Sequence, residues 1–189
     1  LGGSGDGLLL HYTCETPLFG PGQGSTIGPF LWLLCFCLIT DALGSNAPSM
    51  VLTSTDNTVT ITNTGDAFVD DAYLGTTSTH NPPPAEPFAT TQKNHKDTVI
   101  ANLQFLGQKW ERLLFTTGGA INLQKSFWIL MSWDWSKGRA ILSTPSTSTD
   151  TLLLTEGYNI TSPIEVPRLS PYSSYKTLGV YISPSGSSN

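Results

Sequence analysis

The chain has 189 residues, the size of one domain or of one well-cut piece of a larger protein. Hydrophobic residues at 39% exclude a disordered chain, and charged residues at 12% are about half the usual ~25%, with 20 Ser and 25 Thr largely in their place. The net charge of -5 is unevenly spread: eight acids and no base precede Lys93, and nine bases and six acids follow from it, giving -8 and +3. A free nucleic-acid-binding protein carries a basic footprint, and the chain as a whole does not. Any such surface is expected to come largely from other segments.

Residues 1–19 are Gly-rich and poorly patterned beyond one candidate strand around Leu8 to Tyr12. Gly20 to Thr26 form a loop, with Ser25 and Thr26 placed to cap the helix that follows. From Phe30 to Ile39 the chain is apolar on every side, which predicts a helix buried on all faces and ending near Gly44. That apolar run of ten residues falls far short of the ~20 that cross a bilayer, so a core helix is expected and no membrane partner. Cys14, Cys35 and Cys37 have no CxxC spacing, which fits a reducing compartment, cytoplasmic or nuclear. Cys35 and Cys37 are expected to be buried.

Residues 50–62 read as extended, Val59 and Ile61 alternating with Thr58, Thr60 and Thr62. Ala67 to Val69 and Ala72 to Leu74 then flank Asp70-Asp71, the form of a tight hairpin with both carboxylates at its tip. The run His80 to Pro84 marks a surface connection. A second helix is predicted from about Thr91 to Phe115. Val99, Leu103, Leu106, Trp110, Leu113 and Leu114 lie on one face, and Gly118-Gly119 supply the stop. Phe127 to Trp133 reads as a buried strand with Ile141-Leu142 as its weaker partner. A Ser/Thr-rich loop covers 143–151, a final strand 177–182, and a polar tail 187–189. No internal repeat is evident. The order predicts an α+β fold, helices packed on one face of an antiparallel sheet.

Adjacent aspartates on a rigid turn offer the hard oxygen ligands that Mg²⁺ prefers. Taken alone, an Asp-Asp turn such as Asp70-Asp71 is more often solvated surface. Their context adds Gln23-Gly24-Ser25 with Gly28-Pro29 upstream, and Gly119 to Ser126 and Leu178-Gly179 downstream. In that order the chain resembles the palm of reverse transcriptases from retrotransposon polyproteins. The resemblance covers about residues 20–186 and extends into the thumb-proximal region. Gln23-Gly24-Ser25 with Gly28-Pro29 is similar to the PQGxxxSP loop, with Gly22 in place of the Pro before Gln23 and Gly28 in place of its Ser. Phe68 to Asp71 is similar to the FxDD hairpin, Gly119 to Ser126 to GLxxNxxKT, and Leu178-Gly179 to the primer-grip turn.

The resemblance implies RNA-directed DNA polymerase chemistry, in which a primer 3′-hydroxyl attacks a dNTP at two Mg²⁺ (or Mn²⁺) ions. It implies that Asp70 and Asp71 bind metal and that Lys125 neutralises or protonates the leaving group. Gln23, Gly24, Ser25, Asn122, Leu178 and Gly179 would contact an RNA or DNA template-primer or the nucleotide. Phe68 would pack the hairpin. The family also uses an aspartate on a strand before the Gln-Gly loop. Asp6, between two glycines, lacks that apolar flank, so the chain is expected to be a fragment that is inactive alone.

Two other readings stand beside this one: a Ser/Thr-rich α+β binding module with a surface Asp-Asp turn, and a retroelement relic without activity. Trp110, Trp128, Trp133 and Trp135 are expected to be core or thumb-proximal packing rather than base-stacking platforms. His11, His80 and His95 are expected at the surface. Asn159-Ile160-Thr161 matches a glycosylation acceptor, a pattern common by chance in a Thr-rich chain.

Overall fold

A computed structural model describes residues 26–68, 71–78, 87–177 and 180–186. The candidate strand at 8–12, Cys14, the Gln23 loop with its Ser25 cap, and the 80–84 connection lie outside the described residues.

Helix α1 (Gly28–Gly44) starts with a proline in its first turn and no side-chain cap, so Thr26 does not serve as one. Its ends match the sequence reading; its burial does not. Only Ile39 and Leu43 are buried, whereas Phe30 is 60% and Leu38 73% exposed, and Cys35 and Cys37 are exposed too. The reason is that the described residues cover one stripe alone: Ile39 and Leu43, with Phe36 at their side, meet Leu106 and Trp110.

Strands β1 (Met50–Thr53) and β2 (Thr60–Asn63) pair antiparallel, Met50 opposite Asn63. Residues 50–62 are therefore two strands and a turn, not one extended run. Asp56 makes the turn, accepting bonds from Ser54 Oγ at 2.5 Å, Thr58 Oγ1 at 2.8 Å and the Thr58 N–H at 3.2 Å. Those bonds, the Ser54 hydroxyl first, hold the Asp56 carboxyl at about 2, below its ordinary 3.8. One residue later the chain enters β3 (Gly65–Phe68), which pairs antiparallel with β4 (Asp71–Leu74).

Helix α2 (Phe88–Thr116) is the spine, and its predicted apolar face is the one it buries. Val99, Ile100 and Leu103 cover one cluster, built from Leu123, Trp128, Leu130, Leu152, Leu154 and Val166. Leu106, Trp110, Leu113 and Leu114 belong to a second, with Ile39, Leu43 and Leu74; Ile121 packs against both. The helix stops as expected: Gly118 has φ 82°, and the Gly119 N–H returns to the Leu114 carbonyl at 3.0 Å.

Beyond it lie β5 (Trp128–Ile129), β6 (Trp133–Ser136), β7 (Arg139–Leu142), β8 (Leu152–Glu156), β9 (Asn159–Val166), β10 (Arg168–Leu169), β11 (Tyr175–Thr177) and β12 (Val180–Ile182). The predicted strand 127–133 is split. β5 pairs parallel with β10, while β6 pairs with β7 across Lys137 (φ 50°) and Gly138 (φ 75°). The predicted strand 177–182 is likewise a hairpin, β11 with β12. The fold is α+β. Among the described residues, however, the strands form six two-stranded sheets, five antiparallel and one parallel, rather than one sheet.

The β8–β9 hairpin has no counterpart in the sequence reading, yet it closes the larger cluster. Polar side chains of α2 bind it along its edge. Gln104 accepts from the Leu153 N–H at 2.8 Å and donates to the Leu153 carbonyl. Gln108 does the same with Thr155, at 2.9 and 3.1 Å. Glu111, fully buried, accepts from the Gly157 N–H at 2.7 Å, and Arg112 donates to the Gly157 carbonyl at 2.6 Å. Lower down, Asp150 joins Lys96 at 2.7 Å and Arg168 at 3.2 Å, and Arg168 lies 5.2 Å from the Trp128 ring centre.

Gly107 sits where α2 and β8 touch. A Cβ there would lie 3.2 and 3.3 Å from the two methyls of Leu154, itself buried. Gly107→Ala is therefore expected to destabilise by about 1 kcal/mol in urea denaturation, the reverse of the ~1 kcal/mol gain at an exposed helix position. A gain would mean that Leu154 moves aside freely. Asp56, with its folded value below the unfolded one, stabilises its turn above about pH 4 and loses that contribution as pH falls towards 2. The Thr58 amide shift should titrate with a midpoint near 2, and Asp56→Asn should abolish that titration; a midpoint near 3.8 would remove the turn from this account.

Candidate functional site

The β3–β4 register pairs Phe68 with Asp71 and Ala67 with Ala72. Asp71 is therefore the first residue of the returning strand. The expectation of a tight hairpin holds, with one correction. Asp70-Asp71 is not itself the two-residue turn, because the pairing starts at Asp71. Asp70 lies outside the described residues. Asp71 is exposed, and an exposed carboxylate at a strand start is open to a cation or to water.

The hairpin is set by close contacts at its base. Gly65 stands opposite Leu74, where a Cβ would meet the Tyr73 carbonyl oxygen at 2.6 Å and Leu74 Cδ2 at 2.8 Å. Asn63 holds the entry, accepting from the Gly65 N–H at 3.0 Å and donating to Asp66 at 2.8 Å. At the exit, the Gly75 N–H donates to the Thr64 carbonyl at 3.1 Å. Leu74 then reaches the cluster around Leu106 and Trp110.

Asn122 and Lys125 lie in a tight turn after α2. The Asn122 carbonyl accepts from the Lys125 N–H at 3.0 Å and from Ser126 Oγ at 2.8 Å. Both side chains are exposed. Asn122 also lines a cleft of ≈ 420 Å³ with Ala120, Gln124 and Glu156. Glu156 comes from the hairpin that the sequence reading missed. Gln23, Gly24, Ser25, Leu178 and Gly179 lie outside the described residues.

An aromatic contact joins the segment after the Lys125 turn to β11. The Phe127 ring, two residues past Lys125, meets the Tyr175 ring edge-on at 5.0 Å. Tyr175 in turn acts on Tyr73 of β4. Desolvation first, then the Asp71 carboxylate and the Tyr175 phenol, raise the Tyr73 phenol above its ordinary 10.0. Two residues apart on β4, Asp71 and Tyr73 share a face. No direct contact between Asp71 and Lys125 is seen. Tyr73, Phe127 and Tyr175 carried no signal in sequence beyond their spacing from the motif residues.

Among the described residues, no group of three or more His, Cys, Asp or Glu side chains is arranged to hold a metal ion. Asp71 supplies the right kind of oxygen but is a partial site there. No helix among them is long and apolar enough to cross a membrane. His95 is half-buried, its Nδ1 2.7 Å from Ser78 Oγ, rather than a free surface residue. Trp110 and Trp128 are core, as expected, but Trp133 and Trp135 are 56% and 61% exposed.

Because the Tyr73 carbonyl is backbone, Gly65→Ala forces the two strands apart. It should cost about 1–3 kcal/mol in urea denaturation, with β3–β4 amides losing exchange protection first. Unchanged protection would show that the hairpin base tolerates a side chain. No family model matches this chain, and no curated protein or solved structure matches it.

Proposed function

We propose that the chain is part of a reverse-transcriptase palm, the part that carries the paired aspartates of nucleotidyl transfer. What supports the reading is the β3–β4 hairpin, which returns at Asp71 and leaves that carboxylate exposed, within motifs that follow the polymerase order. The partners in this reading are a template-primer and a dNTP, in an intracellular compartment.

The chemistry assigned to each residue follows from its setting. Bound Mg²⁺ would lower the pKa of a primer hydroxyl and offset charge on the leaving pyrophosphate. Asp70 and Asp71 would hold it. A third carboxylate, from a strand ahead of residue 23, completes the set in this reading. Lys125, exposed on its turn, is free to approach a triphosphate. The β11–β12 hairpin would hold the primer end against the aspartates. Outside the family, the exposed apolar side of α1 favours a second reading, an interaction module that binds through that helix without catalysis.

Manganese binding separates them. Titrated with Mn²⁺ and followed by the free-ion EPR signal, the chain should bind weakly, and Asp70→Asn and Asp71→Asn should each weaken binding roughly tenfold. Asp56→Asn, an exposed turn carboxylate elsewhere, should leave it unchanged. If Asp71→Asn behaves like Asp56→Asn, the polymerase assignment fails and the interaction module stands.

A further inference from the structure

We propose that helix α1 pairs antiparallel with α1 of a second copy of the chain, making it a homodimer. The proposal does not rest on the polymerase reading, and it names the partner that the second reading leaves open. Ile27, Phe30, Leu34, Cys37 and Asp41 follow at intervals of three and four residues, with Leu31 and Leu38 beside them, so they form one stripe. The stripe lies opposite the side on which Phe36, Ile39 and Leu43 meet α2. It is open: Ile27 is 54%, Phe30 60%, Leu34 49% and Leu38 73% exposed, and Cys37 and Asp41 are exposed too. Single exposed apolar side chains are ordinary, but a contiguous stripe marks an interaction surface.

Area and charge point to a second copy. The stripe presents on the order of 500 Å² of apolar surface, so two copies would bury on the order of 1,000 Å², the size at which specific interfaces begin. A lipid surface would call for cations beside the apolar face, and α1 contains no Lys or Arg. Charge also sets the direction. Asp41 is the one charged residue of α1, stands near the C-terminal end where the helix dipole disfavours it, and makes no ion pair among the described residues. Lys109 donates instead to the Leu43 and Ser45 carbonyls, at 3.0 and 2.7 Å. The other end of α1 has no side-chain cap and no acid in its first turn. Paired antiparallel about Leu34, the helices set each Asp41 beside residue 27 and the uncapped N-terminus of the other, where a carboxylate is favoured. The same register sets Phe30 against Leu38, and Leu34 meets its own copy on the twofold axis. A parallel pair would bring the two Asp41 carboxylates together.

Sedimentation equilibrium of the full chain across micromolar concentrations should show monomer and dimer in exchange. Leu34→Asp, which puts two carboxylates on the axis, should leave a monomer throughout, and Asp41→Lys should weaken the pairing about tenfold. Circular dichroism checks that these exposed substitutions leave the fold intact. Cysteine linkage reads the direction. With Cys14, Cys35 and Cys37 replaced by Ser, Leu34→Cys should form a linked dimer on mild oxidation. Cys37 as the sole cysteine should not, because antiparallel copies hold it about 9 Å apart along the axis, beyond disulfide reach. Ready linkage through Cys37 would overturn the antiparallel arrangement, and a chain that stays monomeric at every concentration would overturn the dimer. In that event the dye ANS separates the two ideas. Dye binding that Leu34→Asp abolishes would keep the helix-binding reading with a different partner; no dye binding would remove both.

Discussion

The structure depends on α2 and on the row of polar side chains by which it holds a strand edge. Gln104, Gln108, Glu111 and Arg112 fall three, four or one residue apart on the helix, and they meet Leu153, Thr155 and Gly157, every second residue of β8 and its turn. A helix has no free backbone groups to offer along its side, so a sheet edge lying against it would leave N–H and C=O groups unpaired. Side-chain amides supply both donor and acceptor from one group, and so they can replace a neighbouring strand. Glu111 can be fully buried because Arg112 lies 3.1 Å away and the Gly157 N–H also reaches it. Hydrophobic contact then does the rest, through Gly107 and the Leu154 methyls.

Around this spine the two clusters divide the chain. One lies under the β8–β9 hairpin and β5; the other brings α1 and β4 to Leu106 and Trp110, with Ile121 in both. Such a layout lets a hairpin tip be positioned by packing at its base. Asp71 needs no contact of its own to be held in place: Gly65, Asn63 and Leu74 fix the strands beneath it.

Much of this was legible in the sequence, and the failures have identifiable physical causes. The helices follow from periodicity, and the stop at Gly118 from its need for positive φ. The aspartate hairpin was legible as a hairpin, but its register was not, because Ala67 and Ala72 pair only once the strands twist together. The hydropathy of α1 was read as burial on all sides, yet composition says what a surface would prefer, not what lies beside it. The run 127–133 looked like one strand because its residues are uniformly apolar; in fact β5 finds its partner at 168–169, too far along the chain for local pattern to reveal. β8 was missed for a related reason: Leu152-Leu153-Leu154 has no alternation, since one face meets the core and its edge meets α2. Trp133 and Trp135 were read as core because tryptophan usually is. The Gln23 loop, Asp70 and Leu178-Gly179 lie where the structure makes no statement, so the motifs there rest on sequence.

The captured edge has a consequence for the behaviour of the chain in concentrated solution. A two-stranded ribbon containing three consecutive leucines would ordinarily invite a third strand, from another copy, onto whichever side is open. On β8 the positions where such a strand would bond are filled by Gln104 and Gln108. On β9, Pro163 interrupts the row and has no N–H to give on either side. Growth by strand addition is blocked on one side by occupancy and on the other by chemistry. The hairpin can therefore carry a strongly β-forming sequence without becoming a seed for fibres.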